Sequence, residues 1–181
     1  DELPHSRRRL HACGGSGVKA FGFCGYSGAG KTTLIEGLLP IFAARGLKVS
    51  VVKHTHHGFD IDRPGKDSWR HREAGAHEVM LLSDARWVLM HEMKRDSPPQ
   101  LADMLAQLSP CDLVILEGFK QSPWDKIEVH RVANGKPLIW PDAPGLVALA
   151  SDTEVDCPLP RFDIDDHAAI ASFVQQHTGL T

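Results

Sequence analysis

Gly25-Tyr26-Ser27-Gly28-Ala29-Gly30-Lys31-Thr32 is the stretch on which the reading of this chain turns. It fits the spacing G-x-x-x-x-G-K-[ST], in which glycines let the backbone fold around phosphates, the lysine reaches the outer phosphates and the hydroxyl ligates magnesium. The flanks agree with it. Val18-Lys19-Ala20-Phe21-Gly22-Phe23-Cys24 is an apolar run of strand length, and Thr33-Leu34-Ile35-Glu36-Gly37-Leu38-Leu39 carries apolar residues at helical spacing, with no proline before Pro40. Strand, loop and helix therefore come in the order that a phosphate loop requires. The helix N-terminus offers free amides and the positive end of its dipole to an anion. Gly25 to Thr33 is thus the candidate phosphate site, with Lys31 on the β and γ phosphates and Thr32 on magnesium.

Outward from the loop, the first helix is expected from about Lys31 to Arg45, with Gly46 at the stop position. Leu47 to Lys53 reads as a second strand, which makes a βαβ unit with parallel strands. Ligands of such sheets gather at the carboxyl ends of the strands. At that end lies Lys53-His54-Thr55-His56-His57-Gly58-Phe59-Asp60-Ile61-Asp62-Arg63-Pro64-Gly65-Lys66-Asp67-Ser68, a polar, charge-rich loop. Three readings compete for it. Lys53 and Lys66 with Asp60 or Asp62 suit a phosphate and magnesium shell; His54, His56 and His57 with the two aspartates suit a transition metal, though at no established zinc spacing; or the loop is merely polar.

Further along, Ser68 to Gly75 is expected to be helical, capped by Asp67 or Ser68, with Arg70 and Arg72 exposed. Val79 to Ser83 and Arg86 to His91 read as hairpin strands around Asp84-Ala85, and Pro98 to Leu108 as an amphipathic helix. Cys111-Asp112-Leu113-Val114-Ile115-Leu116-Glu117-Gly118 is an apolar strand ending in an acid, the form that P-loop nucleotidases set beside the phosphate loop to meet magnesium or its waters. Glu117 is therefore a catalytic and metal-site candidate. Lys126 to Arg131 alternates like a strand, Leu146 to Ala150 is the last strand expected, and Asp165 to His177 is a closing amphipathic helix. Asp152, just past that last strand, is a candidate guanine acceptor, although no Asn-Lys-x-Asp sequence is present. The fold class is α/β, P-loop NTPase-like, with a mainly parallel sheet flanked by helices and additional hairpin strands. Residues 1–17 read as a flexible leader and 18–181 as one nucleotide-binding domain.

Bulk composition narrows the functions. The 181 residues carry a net charge of -3, which lacks the basic footprint of a nucleic-acid binder. The four cysteines form no C-x-x-C pair, and neither a long apolar run nor a secretory signal core is present, so a cytoplasmic protein off the membrane is expected.

Taken together, Gly25 to Thr32, Lys53-His54-Thr55-His56-His57 with Phe59-Asp60-Ile61-Asp62, Gly65-Lys66-Asp67-Ser68, Ala74-Gly75-Ala76 and Leu113 to Lys120 resemble the MobB family, the nucleotide-binding adaptors of molybdopterin-guanine dinucleotide biosynthesis. The resemblance covers roughly Val18 to Ser151. It implies GTP with Mg2+ as ligands, molybdopterin as a further ligand, a molybdopterin guanylyltransferase as partner and a homodimer. Hydrolysis is expected to be slow, because no residue stands out as an internal arginine finger, whose lack typically costs about 10³ to 10⁵ in rate. Two rival functions fit the same residues. One is a metallocentre-maturation GTPase carrying a metal on its histidine cluster. The other is a small-molecule kinase, which would need Arg63, Arg70 and Arg72 as a lid.

Overall fold

The computed structural model describes residues 19–55, 59–93 and 99–180. The leader, His56 and His57 lie outside the described residues. Two compact units emerge, one built from the chain up to His54 and again from Ala106, the other from Thr55 to Leu105.

The first unit is organised by strands β1 (Lys19–Cys24), β2 (Val49–Lys53), β5 (Leu113–Glu117), β6 (Lys126–His130), β7 (Leu146–Ser151) and β8 (Arg161–Asp163). They lie in the order β2-β5-β1-β6-β7-β8, and every neighbouring pair is parallel. Leu-Val-Ile-Leu of β5 is buried on both faces, as expected of a near-continuous apolar run inside a parallel sheet. On one face Phe21, Phe23, Leu113, Ile115, Ile127, Val129, Ala148 and Ala150 pack with two helices: α1 (Lys31–Ala44), through Leu34, Ile35, Leu38 and Phe42, and α4 (His167–Thr178), through Ile170, Ala171 and Val174. The period-2 alternation of the strands and the 3.6 period of the helices thus meet in one core.

The other face of β6 carries charge. Glu128 accepts the N–H groups of Ile139 (2.6 Å) and Trp140 (3.0 Å), while Lys126 donates to the carbonyls of Pro144 (2.8 Å) and Ser122. Both residues are buried. They tie the connections on both sides of β6 to the sheet, which is how buried charged groups become tolerable. Burial pushes the Lys126 ammonium below its ordinary range.

In the second unit, α2 (Asp67–Glu73) precedes β3 (Glu78–Leu82) and β4 (Trp87–His91), which form an antiparallel pair, followed by α3 (Leu101–Leu105).

Four expectations change. The sheet does not end at β7: Arg161-Phe162-Asp163 adds a parallel edge strand, too short for alternation to reveal it. The helix expected from Pro98 to Leu108 is only Leu101–Leu105, with no buried residue, and residues 94–98 are outside the described set. Neither Asp67 nor Ser68 caps α2. Lys66 holds the N-cap position and the Ser68 hydroxyl donates to Asp62 instead (2.5 Å). Finally, Arg72 is not a solvated arginine. Its side chain is only 15% exposed and is gripped by carboxylates.

Candidate nucleotide site

The phosphate loop leaves β1 with its backbone pressed on β6. A Cβ on Gly25 would sit 2.4 Å from the Val129 carbonyl oxygen, so no larger residue fits there. Gly30 has φ 92°, a left-handed conformation that glycine adopts without steric cost, and directly precedes the first residue of α1. The Lys31 Nζ arches back over the loop and donates to the carbonyls of Gly25 (3.0 Å) and Tyr26 (2.9 Å). Burial pulls the Lys31 ammonium below its ordinary range, and the nearby Glu117 carboxylate opposes that shift. Lys120 lies 4.9 Å from the Tyr26 ring centroid, a cation–π contact at the same loop.

Sheet register assembles the next layer. Glu117 ends β5, Lys53 ends β2, and the two are direct partners across that pair. Both therefore arrive at the same level beside the start of α1. Thr32 Oγ1 donates to Glu117 Oε1 at 2.7 Å, and Lys53 Nζ lies 3.1 Å from the same oxygen and 3.4 Å from Thr32 Oγ1. The carboxylate itself is buried. Cis oxygen ligands of an octahedral magnesium, bonded at 2.0–2.1 Å, stand about 2.9 Å apart. The Thr32 and Glu117 oxygens, at 2.7 Å, have the chemistry and close to the separation needed to hold that ion. Immediately after Glu117 the chain turns sharply through two left-handed residues, Gly118 (φ 98°) and Phe119 (φ 31°). The second is unusual for a non-glycine residue.

Asp60, Asp62 and Lys66 belong to the second unit. There Arg72 engages Asp60 (3.1 Å), Asp62 (3.3 Å) and Glu92 (2.7 Å). The hydrogen bond to Glu92 is the largest influence raising the guanidinium above its ordinary value. Both aspartates thus have an arginine partner within their own unit. Lys66 is exposed. Of the loop histidines, His54 packs against Phe119 with ring centroids 5.2 Å apart. Among the described residues, the group with metal-capable atoms close together is a different one: His77, Glu78 and His91, on the hairpin. Glu78 and His91 face each other across the strands and are hydrogen-bonded at 2.7 Å.

Two residues at the loop escaped the sequence reading. A Cβ on Gly30 would stand 3.0 Å from the Arg131 Nε, and Asn134 Nδ2 donates to the Ser27 carbonyl at 3.0 Å. Asp152 lies beside them: its Oδ1 accepts the Val132 N–H at 2.9 Å and its Oδ2 is 3.9 Å from Arg131 Nη1. Arg131 and Asn134 come just after β6, and only the strand order, which local sequence does not encode, reveals that β6 is the neighbour of β1.

The site therefore joins a phosphate loop, a strand-end acid and a paired lysine on one parallel sheet, and the chain is similar to known proteins along most of its length. Residues 20–152 match the family model described as MobB, molybdopterin guanine dinucleotide synthesis protein B. The chain belongs to the MobB family. A molybdopterin-guanine dinucleotide biosynthesis adapter protein of Haemophilus influenzae is 43% identical over 161 residues, spanning 87% of this chain and 88% of the relative. The Escherichia coli K12 protein of the same description is 36% identical, over 87% and 91%. Among solved structures, a MobB crystal structure at 28% identity superposes with TM-score 0.67 over 87% of this chain and 99% of its own. The MobB homologue from Bacillus stearothermophilus (22% identity, TM-score 0.65, 90% and 99%) shares the fold.

Proposed function

We propose that this MobB-family chain is a GTP-binding adaptor in molybdopterin-guanine dinucleotide biosynthesis, with weak magnesium-dependent GTPase activity at most. The observation that carries the reading is the convergence of Thr32, Lys53 and Glu117 at the head of α1, next to the loop over which Lys31 arches. Backbone amides of Gly28 to Thr33 and the Lys31 ammonium would bind the β and γ phosphates. An incoming anion would replace the loop carbonyls that Lys31 now contacts. Thr32 and Glu117 would hold Mg2+, which when bound supplies charge neutralisation across the phosphate oxygens. Lys53 offsets the carboxylate and adds positive charge at the same edge.

The adaptor role comes from the descriptions of the relatives and from the site's economy. The residues around the loop bind and neutralise, and Glu117, the catalytic and metal-site candidate of the sequence, is itself engaged by Thr32 and Lys53. The partner is a molybdopterin guanylyltransferase, with molybdopterin as a further ligand, in the cytoplasm. No helix among the described residues is long and apolar enough to cross a membrane. The hairpin gives a surface for self-association: Met80, Leu81, Leu82, Trp87 and Leu89 are exposed on β3 and β4, with Leu82 at 77%. Two such hairpins meeting edge to edge or face to face in a homodimer would cover this apolar surface.

Calorimetric titration with Mg·GTP and Mg·ATP tests the nucleotide assignment. Clear preference for GTP supports the adaptor reading. Preference for ATP together with phosphorylation of an acceptor would replace it with a kinase.

A further inference from the structure

We infer that the nucleoside end of the bound nucleotide lies over the carboxyl ends of β6 and β7, that the Arg131 guanidinium is the plane on which the base rests, and that Asp152 positions Arg131. The inference rests on the phosphate-loop reading and extends it from the phosphates to the base.

Strand order sets the direction of the ligand. A nucleoside triphosphate is elongated, and the loop fixes its phosphate end between β1 and α1. β1 has only two neighbours, β5 and β6. On the β5 side Glu117 and Lys53 converge on Thr32 at 2.7 and 3.4 Å, an arrangement suited to the metal and the outer phosphates. The nucleoside therefore leaves the loop on the β6 side, and ligands of such sheets lie outside the carboxyl ends of the strands.

The chain just past β6 is built against the loop at two points. Asn134 donates to the Ser27 carbonyl, and a Cβ on Gly28 would stand 3.1 Å from Asn134 Oδ1. A Cβ on Gly30 would stand 3.0 Å from Arg131 Nε, 3.5 Å from Nη2 and 3.7 Å from Cζ. The guanidinium thus borders the glycine that immediately precedes Lys31. The Arg131 side chain is 34% exposed, so part of it is open to a ligand. A planar, delocalised cation is well suited to stacking on an aromatic ring system, which a lysine ammonium is not.

Asp152 has its two oxygens turned to this segment, one on the Val132 N–H and the other toward Arg131 Nη1. The aspartate that the sequence offers as a guanine acceptor instead anchors the turn that carries Arg131. Choice of base then depends on stacking geometry and neighbouring backbone groups, in keeping with the lack of an Asn-Lys-x-Asp sequence.

The test compares two probes on the full chain, Mg·GTP and Mg·tripolyphosphate, by calorimetry. Arg131→Ala is expected to weaken Mg·GTP about five- to a hundredfold, the range for losing one base-stacking platform, while tripolyphosphate changes less than about twofold. Arg131→Lys keeps the charge and loses the plane, so it is expected to resemble Arg131→Ala. Asp152→Asn is expected to produce a smaller loss, again confined to GTP. Thermal melting of each variant checks folding. Equal weakening of both probes by Arg131→Ala, or full rescue by Arg131→Lys, would make the arginine a phosphate contact and overturn the inference, as would unchanged GTP binding. Lys31→Ala separates the layers: it should weaken both probes, and if tripolyphosphate binding survives it, the phosphate-loop reading itself falls.

Discussion

Replacing Glu117 with glutamine is expected to alter nucleotide affinity with opposite signs in the presence and absence of magnesium. Glu117 is 5% exposed, and its carboxylate accepts from Thr32 at 2.7 Å and faces Lys53 at 3.1 Å. Glutamine keeps the shape and an acceptor oxygen but loses the charge. Hydrogen bonds to charged groups contribute about 1.5–3 kcal/mol. At about 1.4 kcal/mol per factor of ten, losing one charged contact to the ion weakens Mg·GTP roughly ten- to a hundredfold. Without metal the sign reverses. The carboxylate then faces phosphate oxygens as a like charge, so in EDTA the variant is expected to bind GTP as well as the parent or better. Part of that gain is offset at Lys31, since removing the Glu117 charge takes away an influence that keeps the ammonium protonated. Titrations at fixed pH with magnesium and with EDTA measure both arms. An equal loss in both, or no loss with magnesium, would refute the assignment of Glu117 to the metal.

Other expectations concern the scaffold. Leu38→Ala opens a cavity under α1, where Leu38 is fully buried, and should cost about 2–5 kcal/mol in denaturant unfolding. Arg72→Ala strands Asp62 and Asp60 without their cation and should destabilise the second unit, read as faster hydrogen exchange around residues 59–73 with exchange in the first unit unchanged. Burial pushes the Cys24 thiol from 9.0 up to about 12, with Glu128 adding to the shift. Alkylation at pH 8 should therefore spare Cys24 in the native protein and modify it after denaturation, as mass spectrometry would show. The sign for stability is set by the same shift: the folded state holds this proton more tightly, so its contribution is complete below about pH 9 and is lost as pH rises toward 12.

The legible parts of the fold are those set by neighbours in sequence. Gly25 to Thr32 announces itself because backbone wrapping, lysine and hydroxyl all lie within eight residues, and Glu117 because an apolar strand ending in an acid is a local pattern. Lys53 could be suspected but not paired, since its contact with Glu117 depends on β2 lying beside β5. Arg131 and Asn134 were invisible for the same reason: nothing in His130-Arg131-Val132-Ala133-Asn134 says that β6 adjoins the loop-bearing strand. Arg72 misled because a helix-face argument sees only its own helix, whereas Asp60, Asp62 and Glu92 arrive from segments on both sides. β8 was missed because three residues, Arg-Phe-Asp, are too few for periodicity to register, and its pairing comes wholly from the neighbouring strand.

The central claim is that the phosphate loop around Lys31 holds the triphosphate of a guanine nucleotide, and titration of the full chain and its Lys31→Ala variant with Mg·GTP tests it most directly. Removing the ammonium that arches over the loop is expected to weaken binding at least about tenfold, some 1.4 kcal/mol, while the melting temperature of the nucleotide-free protein changes little. A variant that folds normally and binds Mg·GTP as tightly as the parent would contradict the account.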